Sequence, residues 1–104
     1  MKLLNIDYIP GKEIDALGIV KGTTVQSKNF GKDFMSGMKS LVGGEIKAYT
    51  QMLDDARKIA IERMVDEAEA KGANAIIGMR LMSSAIAQGA AEMVAYGTAV
   101  RINE

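Results

Sequence analysis

Asn29–Ala48 reads NFGKDFMSGMKSLVGGEIKA, and Gly72–Met79 reads GANAIIGM. Together the two stretches set the order of elements in the chain. In the first, Phe30, Phe34, Met38 and Leu41 recur at intervals of four, four and three, which gathers them on one face of a short helix. Asn29 or Ser27 can cap its start, and Gly43 can end it in the left-handed conformation that a Cβ disfavours. Gly31 and Gly37 weaken the helix, so it depends on tertiary packing. After the Gly43–Gly44 break a longer helix begins, and the second stretch closes that helix at Gly72 and enters a strand.

The long helix, expected over Glu45–Lys71, is the strongest element. Tyr49, Met52, Leu53, Ala56, Ile59, Ala60 and Met64 form a continuous apolar stripe at helical spacing. Asp54–Lys58 and Glu67–Lys71 are acid-before-base pairs four apart, each worth ~0.3 kcal/mol on an exposed face. Glu45 and Lys71 carry the favourable charge for their ends of the helix dipole. At 1.5 Å per residue such a helix is about 40 Å long. Ile61, Val65 and Ala68 widen its apolar arc beyond what one sheet face covers, and surplus apolar surface of this kind predicts an interface.

Upstream, Pro10–Gly11 is a turn that separates Leu3, Leu4 and Ile6 from Glu13–Ser27. That span reads as one or two strands, rich in β-branched residues, with Gly18 and Gly22 marking a bend or a hairpin turn. Downstream, Ala75–Ile86 and Glu92–Ile102 read as a hairpin closed by Ala87–Gln88–Gly89–Ala90. On the last strand Val94, Tyr96, Thr98, Val100 and Ile102 share one face, which has the character of a core. Met93, Ala95, Gly97, Ala99 and Arg101 share the other. There the small Ala95, Gly97 and Ala99 would let another backbone approach closely, and they are the candidate oligomer interface. The expected architecture is a single α+β domain over 1–104. It has a small, mostly antiparallel sheet with one short and one long helix, assembling into a ring-like homo-oligomer.

Composition narrows the function classes. Thirteen basic residues balance thirteen acidic ones, so the chain lacks the electrostatic footprint of a nucleic-acid binder, and nothing draws it to an anionic membrane surface. No apolar run approaches the ~20 residues of a membrane span. The first residues, MKLLNIDYIPG, have too short an apolar run for a signal peptide, so a cytoplasmic protein is expected. With 11 Gly, 8 Met and only five aromatic residues, small and flexible side chains must fill the core.

The chain contains no His and no Cys, the usual ligands of zinc and other borderline metals. Asp54-Asp55 and Glu62/Asp66/Glu69 read as a solvated helix face. Met79, Met82 and Met93 offer thioethers of the kind copper(I) accepts, but methionine at such positions is more often core filler. No histidine is available to activate Ser36, Ser40, Ser83 or Ser84. Gly11-Lys12 and Gly31-Lys32 lack the remainder of a phosphate-binding loop. No catalytic residue and no cofactor is indicated. The most notable polar group is Asn29, Lys32, Asp33, Tyr49 and Arg57, flanking the Gly43–Gly44 break. Two readings stay open for it: a small-anion site at the start of the long helix, or an Asp33–Arg57 or Lys32–Asp33 tie that fixes the corner, with Asn29 as cap.

The order strand, short helix, Gly-Gly, long helix, GANA strand, hairpin resembles the YbjQ-like family. The matching residues are Asn29-Phe30, Lys32-Asp33, Val42-Gly43-Gly44, Ala48-Tyr49, Ala56-Arg57, Gly72-Ala73-Asn74-Ala75, Gly78 and Gly97-Thr98-Ala99-Val100, over roughly Ile9–Val100. The resemblance implies an α+β domain that assembles into a homopentamer with strands near the axis. It implies no established activity, although the family carries a heavy-metal-binding label. Here Met79-Arg80-Leu81-Met82 stands where many relatives carry acidic residues, and Leu17-Gly18 where many carry a Cys, so two sets of candidate metal ligands are missing. The sequence therefore reads as a non-catalytic, homo-oligomeric binding or structural module. The alternative is binding of a metal ion or small anion at subunit boundaries, with the ligand unidentified.

Overall fold

The computed structural model describes residues 1–27, 44–87 and 89–103, with side chains in the helix from Lys47 onward. The short helix expected around Phe30–Leu41 lies outside the described residues. The elements are strand β1 (Lys2–Leu3), strand β2 (Glu13–Ser27), helix α1 (Gly44–Ala70), strand β3 (Ala75–Ala87) and strand β4 (Ala90–Asn103). They build one four-stranded sheet in the order β1-β3-β4-β2. β4 pairs antiparallel with β2 and β3, and β1 pairs parallel with β3, so the sheet is mixed.

α1 ends as its sequence requires. Gly72 takes φ +83°, its amide donates to Glu69, and the Ala73 amide donates to Ala68. This pair of bonds satisfies the last carbonyls of the helix and needs a residue without a Cβ at Gly72. The chain then passes through Asn74, whose side chain grips the backbone of Ile102 from both sides. Oδ1 accepts the Ile102 amide at 2.7 Å, and Nδ2 donates to its carbonyl at 3.2 Å. The Asn74 amide donates to Val100, and its carbonyl accepts from Lys2. One residue thus joins the end of the helix to β1 and β4.

The core lies between α1 and one face of β2 and β4. Met52, Ala56, Ala60, Met64 and Ala68 recur every four residues and are all buried. Three of these five are alanines, so the helix axis can settle very close to the sheet. Gly22 accepts that approach: a Cβ there would collide with the backbone of Ala60 and Met64. Gly18, with φ +117°, sits where the β2–β4 register slips between Ala16 and Gly18. The two glycines therefore serve a bulge and a close approach within one continuous strand, not a hairpin turn.

The sidedness of β4 departs from the expectation over Met93–Ala99, while Val100 and Ile102, expected in the core, are buried. Met93, Ala95, Gly97 and Ala99 are buried beneath α1 or against β3, while Val94, Tyr96 and Thr98 are only half-buried on the opposite face. Small residues form this core face because the alanine stripe brings the helix backbone in. Bulk comes instead from Val20, Met64 and Ile76. On the opposite face, Ala75, Ile77, Val100 and Ile102 form a second apolar cluster, packed by Ile9 and Ile14.

The chain is long and thin, 55 × 22 × 16 Å, with a radius of gyration of 17.2 Å. A compact chain of this length has about 13 Å. The 15-residue β2, at roughly 3.3 Å per residue, accounts for most of the long dimension.

Candidate functional site

β3 changes character halfway along. Ala75, Ile76 and Ile77 are buried, Gly78 and Met79 are half-buried, and every residue from Arg80 to Ala87 is exposed. The break coincides with a bulge. The β3–β4 register runs Ile77↔Thr98 and resumes at Arg80↔Tyr96, leaving Gly78 and Met79 opposite Gly97. Gly78 takes φ +61°, and the N-terminal arm bonds here: Gly78 donates to Ile6 and Met79 to Leu4. The arm leaves the edge at that point. Arg80 Nη1 locks it by donating to the Asn5 carbonyl at 2.8 Å and to the Met79 carbonyl at 2.9 Å.

Beyond Arg80, no described residue pairs with the outer edge of β3. The segment Leu81–Ala87 reads LMSSAIA and carries no charge and no proline, the usual defences of a free edge. Leu81, Met82 and Ile86 are exposed at 41%, 59% and 53%. The opposite edge, β2, is partly closed: Arg63 on α1 donates to the Thr23 carbonyl at 2.6 Å.

The residues singled out in the sequence separate. Asn29, Lys32 and Asp33 lie outside the described residues, and so does any Asp33–Arg57 or Lys32–Asp33 tie. Tyr49 and Arg57 are half-buried on α1, eight residues apart. Arg57 lines an open depression with Lys47, Thr50, Gln51 and Asp54, and Tyr49 is not part of its lining. Ala95 and Ala99 have no exposed surface, and Gly97 faces β3, where a Cβ would lie 2.7 Å from Ile76 Cγ2 and 3.0 Å from the Ile77 carbonyl. The sequence reading gave the neighbour of these three residues to another subunit; among the described residues the neighbours are the chain's own α1 and β3.

Of the candidate thioethers, Met79 packs against the core cluster that contains Met93, and Met82 is separated from both. Met82 pairs with Val94 on the open face, whereas Met93 lies in the core under α1. Their thioethers point to opposite sides of the sheet. Among the described residues no three carboxylates converge, and Asp54 is bound to Lys58 at 3.3 Å.

A cross-strand row is also present that the sequence reading did not single out. Lys21 pairs with Tyr96, and Tyr96 with Arg80, so the three stand side by side on the face away from α1. The bulge at Gly78–Met79 shifts the parity that would otherwise place Arg80 on the other side. Sequence alternation alone could not reveal that shift.

Comparison with known proteins adds the following. The family model YbjQ_1, described as "Putative heavy-metal-binding", matches residues 1–103. A UPF0145 protein of Clostridium novyi is 60% identical, over 98% of this chain and 99% of its own. A UPF0145 protein of Halalkalibacterium halodurans is 53% identical, over 100% and 99%. Among solved structures, a protein of unknown function from the DUF74 family of Pediococcus pentosaceus superposes with a TM-score of 0.65 at 14% identity, covering 99% of this chain and 98% of its own. That likeness concerns the fold alone.

Proposed function

Since this chain belongs to the YbjQ family, we propose that it is a non-catalytic, homo-oligomeric binding or structural module, assembled as a ring. The observation that carries this reading is the uncovered outer half of β3. Among the described residues, Leu81–Ala87 is an exposed run with no partner on its outer edge, three large apolar side chains and neither a charge nor a proline, although its pairing with β4 slips once more at Ala85–Ala87. β2 and β3 both run antiparallel to β4, so they run parallel to each other. The β3 edge of one subunit can then meet the β2 edge of the next in a head-to-tail contact, which closes into a ring when the rotation permits. Five is the subunit number that the family resemblance implies.

Binding of a heavy metal, the family's description, does not fit the donors among the described residues. Borderline and soft metals select thiolate, imidazole or converging thioethers. Here there is no Cys or His, Met82 faces the other side of the sheet from Met93, and Met79 and Met93 pack as part of the apolar core.

Light scattering on the purified protein tests the assembly, with a mass several times 11.1 kDa expected. Met82→Lys places a charge on the exposed edge without touching the core and should lower that mass. A soluble, folded monomer of wild-type protein at micromolar concentration would overturn the reading.

A further inference from the structure

We infer that Arg63 guards the outer edge of β2 and so sets where the next subunit can add, an inference that deepens the ring reading above and rests on it. Backbone bonding decides which groups of β2 are free to receive a strand. The Val100 carbonyl accepts from the Asn74 amide, so Val100 turns its backbone groups toward the β3 side. Alternation along an antiparallel ladder turns Thr98, Tyr96 and Val94 the same way. Their partners on β2 are Ile19, Lys21 and Thr23, whose backbone groups therefore point outward, with Val25 next in the series. The Thr23 carbonyl is already taken: Arg63 Nη1 donates to it at 2.6 Å. The root of that side chain also lies against β2, since a Cβ at Gly22 would sit 2.9 Å from Arg63 Cβ. A charged side chain laid on an edge strand keeps another strand from pairing there.

The stretch left open, Glu13–Lys21, suits the uncovered part of β3 in surface and in charge. Arg80 and Met82 pair with Tyr96 and Val94, so by the same alternation Leu81 and Ser83 turn their backbone groups outward. Among the described residues Ile19, at 76%, is the most exposed of the large apolar side chains, and it lies on the open stretch of β2. β2 and β3 are parallel, so both begin at the same end. β2 begins with Glu13 and Asp15, and the free part of β3 begins just after Arg80. Among the described residues none of these three is in an ion pair. Addition through Glu13–Lys21 brings carboxylates toward a guanidinium whose Nη1 alone is engaged with the arm. Addition past the guard, with Gly22–Ser27 along the free part of β3, would instead set Lys21 beside Arg80, two like charges.

Hydrogen exchange on the assembled protein tests this, with light scattering to report the assembly itself. Relative to dilute protein, the amides of Ile19 and Lys21 should gain protection on assembly, and the Val25 amide should gain none. In Arg63→Ala that contrast should be lost, with Val25 protected as well and several masses in place of one. Arg63→Lys keeps a donor at the same place and should restore the wild-type pattern. Glu13→Lys should raise the dissociation constant of the assembly about tenfold. A wild-type monomer would remove the ring reading and this inference together. An oligomer in which Val25 is protected as strongly as Ile19, or in which neither is protected, would overturn the inference and leave the ring standing. An unchanged pattern in Arg63→Ala, or an unchanged dissociation constant in Glu13→Lys, would do the same. The wild-type pattern remains decisive even where Arg63→Ala does not fold.

Discussion

The two halves of β3 have similar composition and opposite fates. Ala75–Met79 is AIIGM and Arg80–Ala87 is RLMSSAIA; both are dominated by aliphatic and small residues. The first half is paired on both edges, by β1 and the N-terminal arm on one side and β4 on the other. Among the described residues the second half is paired by β4 alone, and it is exposed throughout. The difference comes from reach rather than from local preference. α1 packs over β2 and β4 and barely touches β3, and the arm departs at the Gly78–Met79 bulge. Apolar side chains exposed beside an unpaired strand edge are a surface on which a further strand can add.

The largest effects should arise where the covered region is tightest. Gly22→Val places side-chain atoms against the backbone of Ala60 and Met64, which cannot rotate away. A cost above about 3 kcal/mol is expected, beyond the usual range for overpacking, and insoluble or unfolded protein on expression is the readout. Gly97→Leu comes next. Its first atom meets Ile76 Cγ2 at 2.7 Å, a side-chain contact that can shift, and the Ile77 carbonyl at 3.0 Å, which cannot. A loss of ~1–3 kcal/mol should lower the melting temperature by several degrees. Ala87→Leu adds similar bulk at the exposed end of the same sheet and should melt like wild type. Equal melting of the two variants would erase the distinction between the halves.

Much of this contrast was legible before the structure. Helix spacing from Tyr49 to Met64, the Gly72 stop and the turn near Gly89 located α1, β3 and β4 to within one or two residues. The apolar surplus expected on α1 is taken up within the chain: Ala68 is fully buried and Ile61 and Val65 pack against the core, whereas the exposed apolar run lies on β3. The side of the sheet that forms the core was not legible. Alternation along β4 yields two faces, and the bulkier one looks like the interior; the alanine stripe on α1 selects the smaller one over Met93–Ala99, and only Val100 and Ile102 of the bulkier face are buried, in a second cluster. Nor was the row Lys21–Tyr96–Arg80, because two register slips, at Gly18 and at Gly78–Met79, decide which residues stand opposite each other. In the sequence Asn74 reads only as part of a GANA turn, whereas its side chain bonds both backbone groups of a residue 28 positions away.

Asn74→Ala probes the covered end by chemistry rather than volume. It removes two hydrogen bonds to Ile102, and a part-buried site of this kind loses ~1–3 kcal/mol. Thermal melts should show the decrease, and an unchanged melt would mean that the junction of α1, β1 and β4 holds without it. Met82→Lys should have the smallest effect on the fold, within about 0.5 kcal/mol by denaturant titration of the dissociated protein, because Met82 is 59% exposed. Destabilisation well beyond that would show that Met82 is covered within the protomer.

Amide hydrogen exchange along β3, followed as protein concentration is raised, tests the central claim most directly. If the outer half is an edge completed by another copy, Arg80–Ala87 amides that do not bond to β4 exchange rapidly in dilute protein. They become protected as the oligomer forms, while Ala75–Ile77 stays protected throughout. In Met82→Lys that concentration-dependent protection should be lost. Rapid exchange of Arg80–Ala87 in fully assembled wild-type protein would contradict the account.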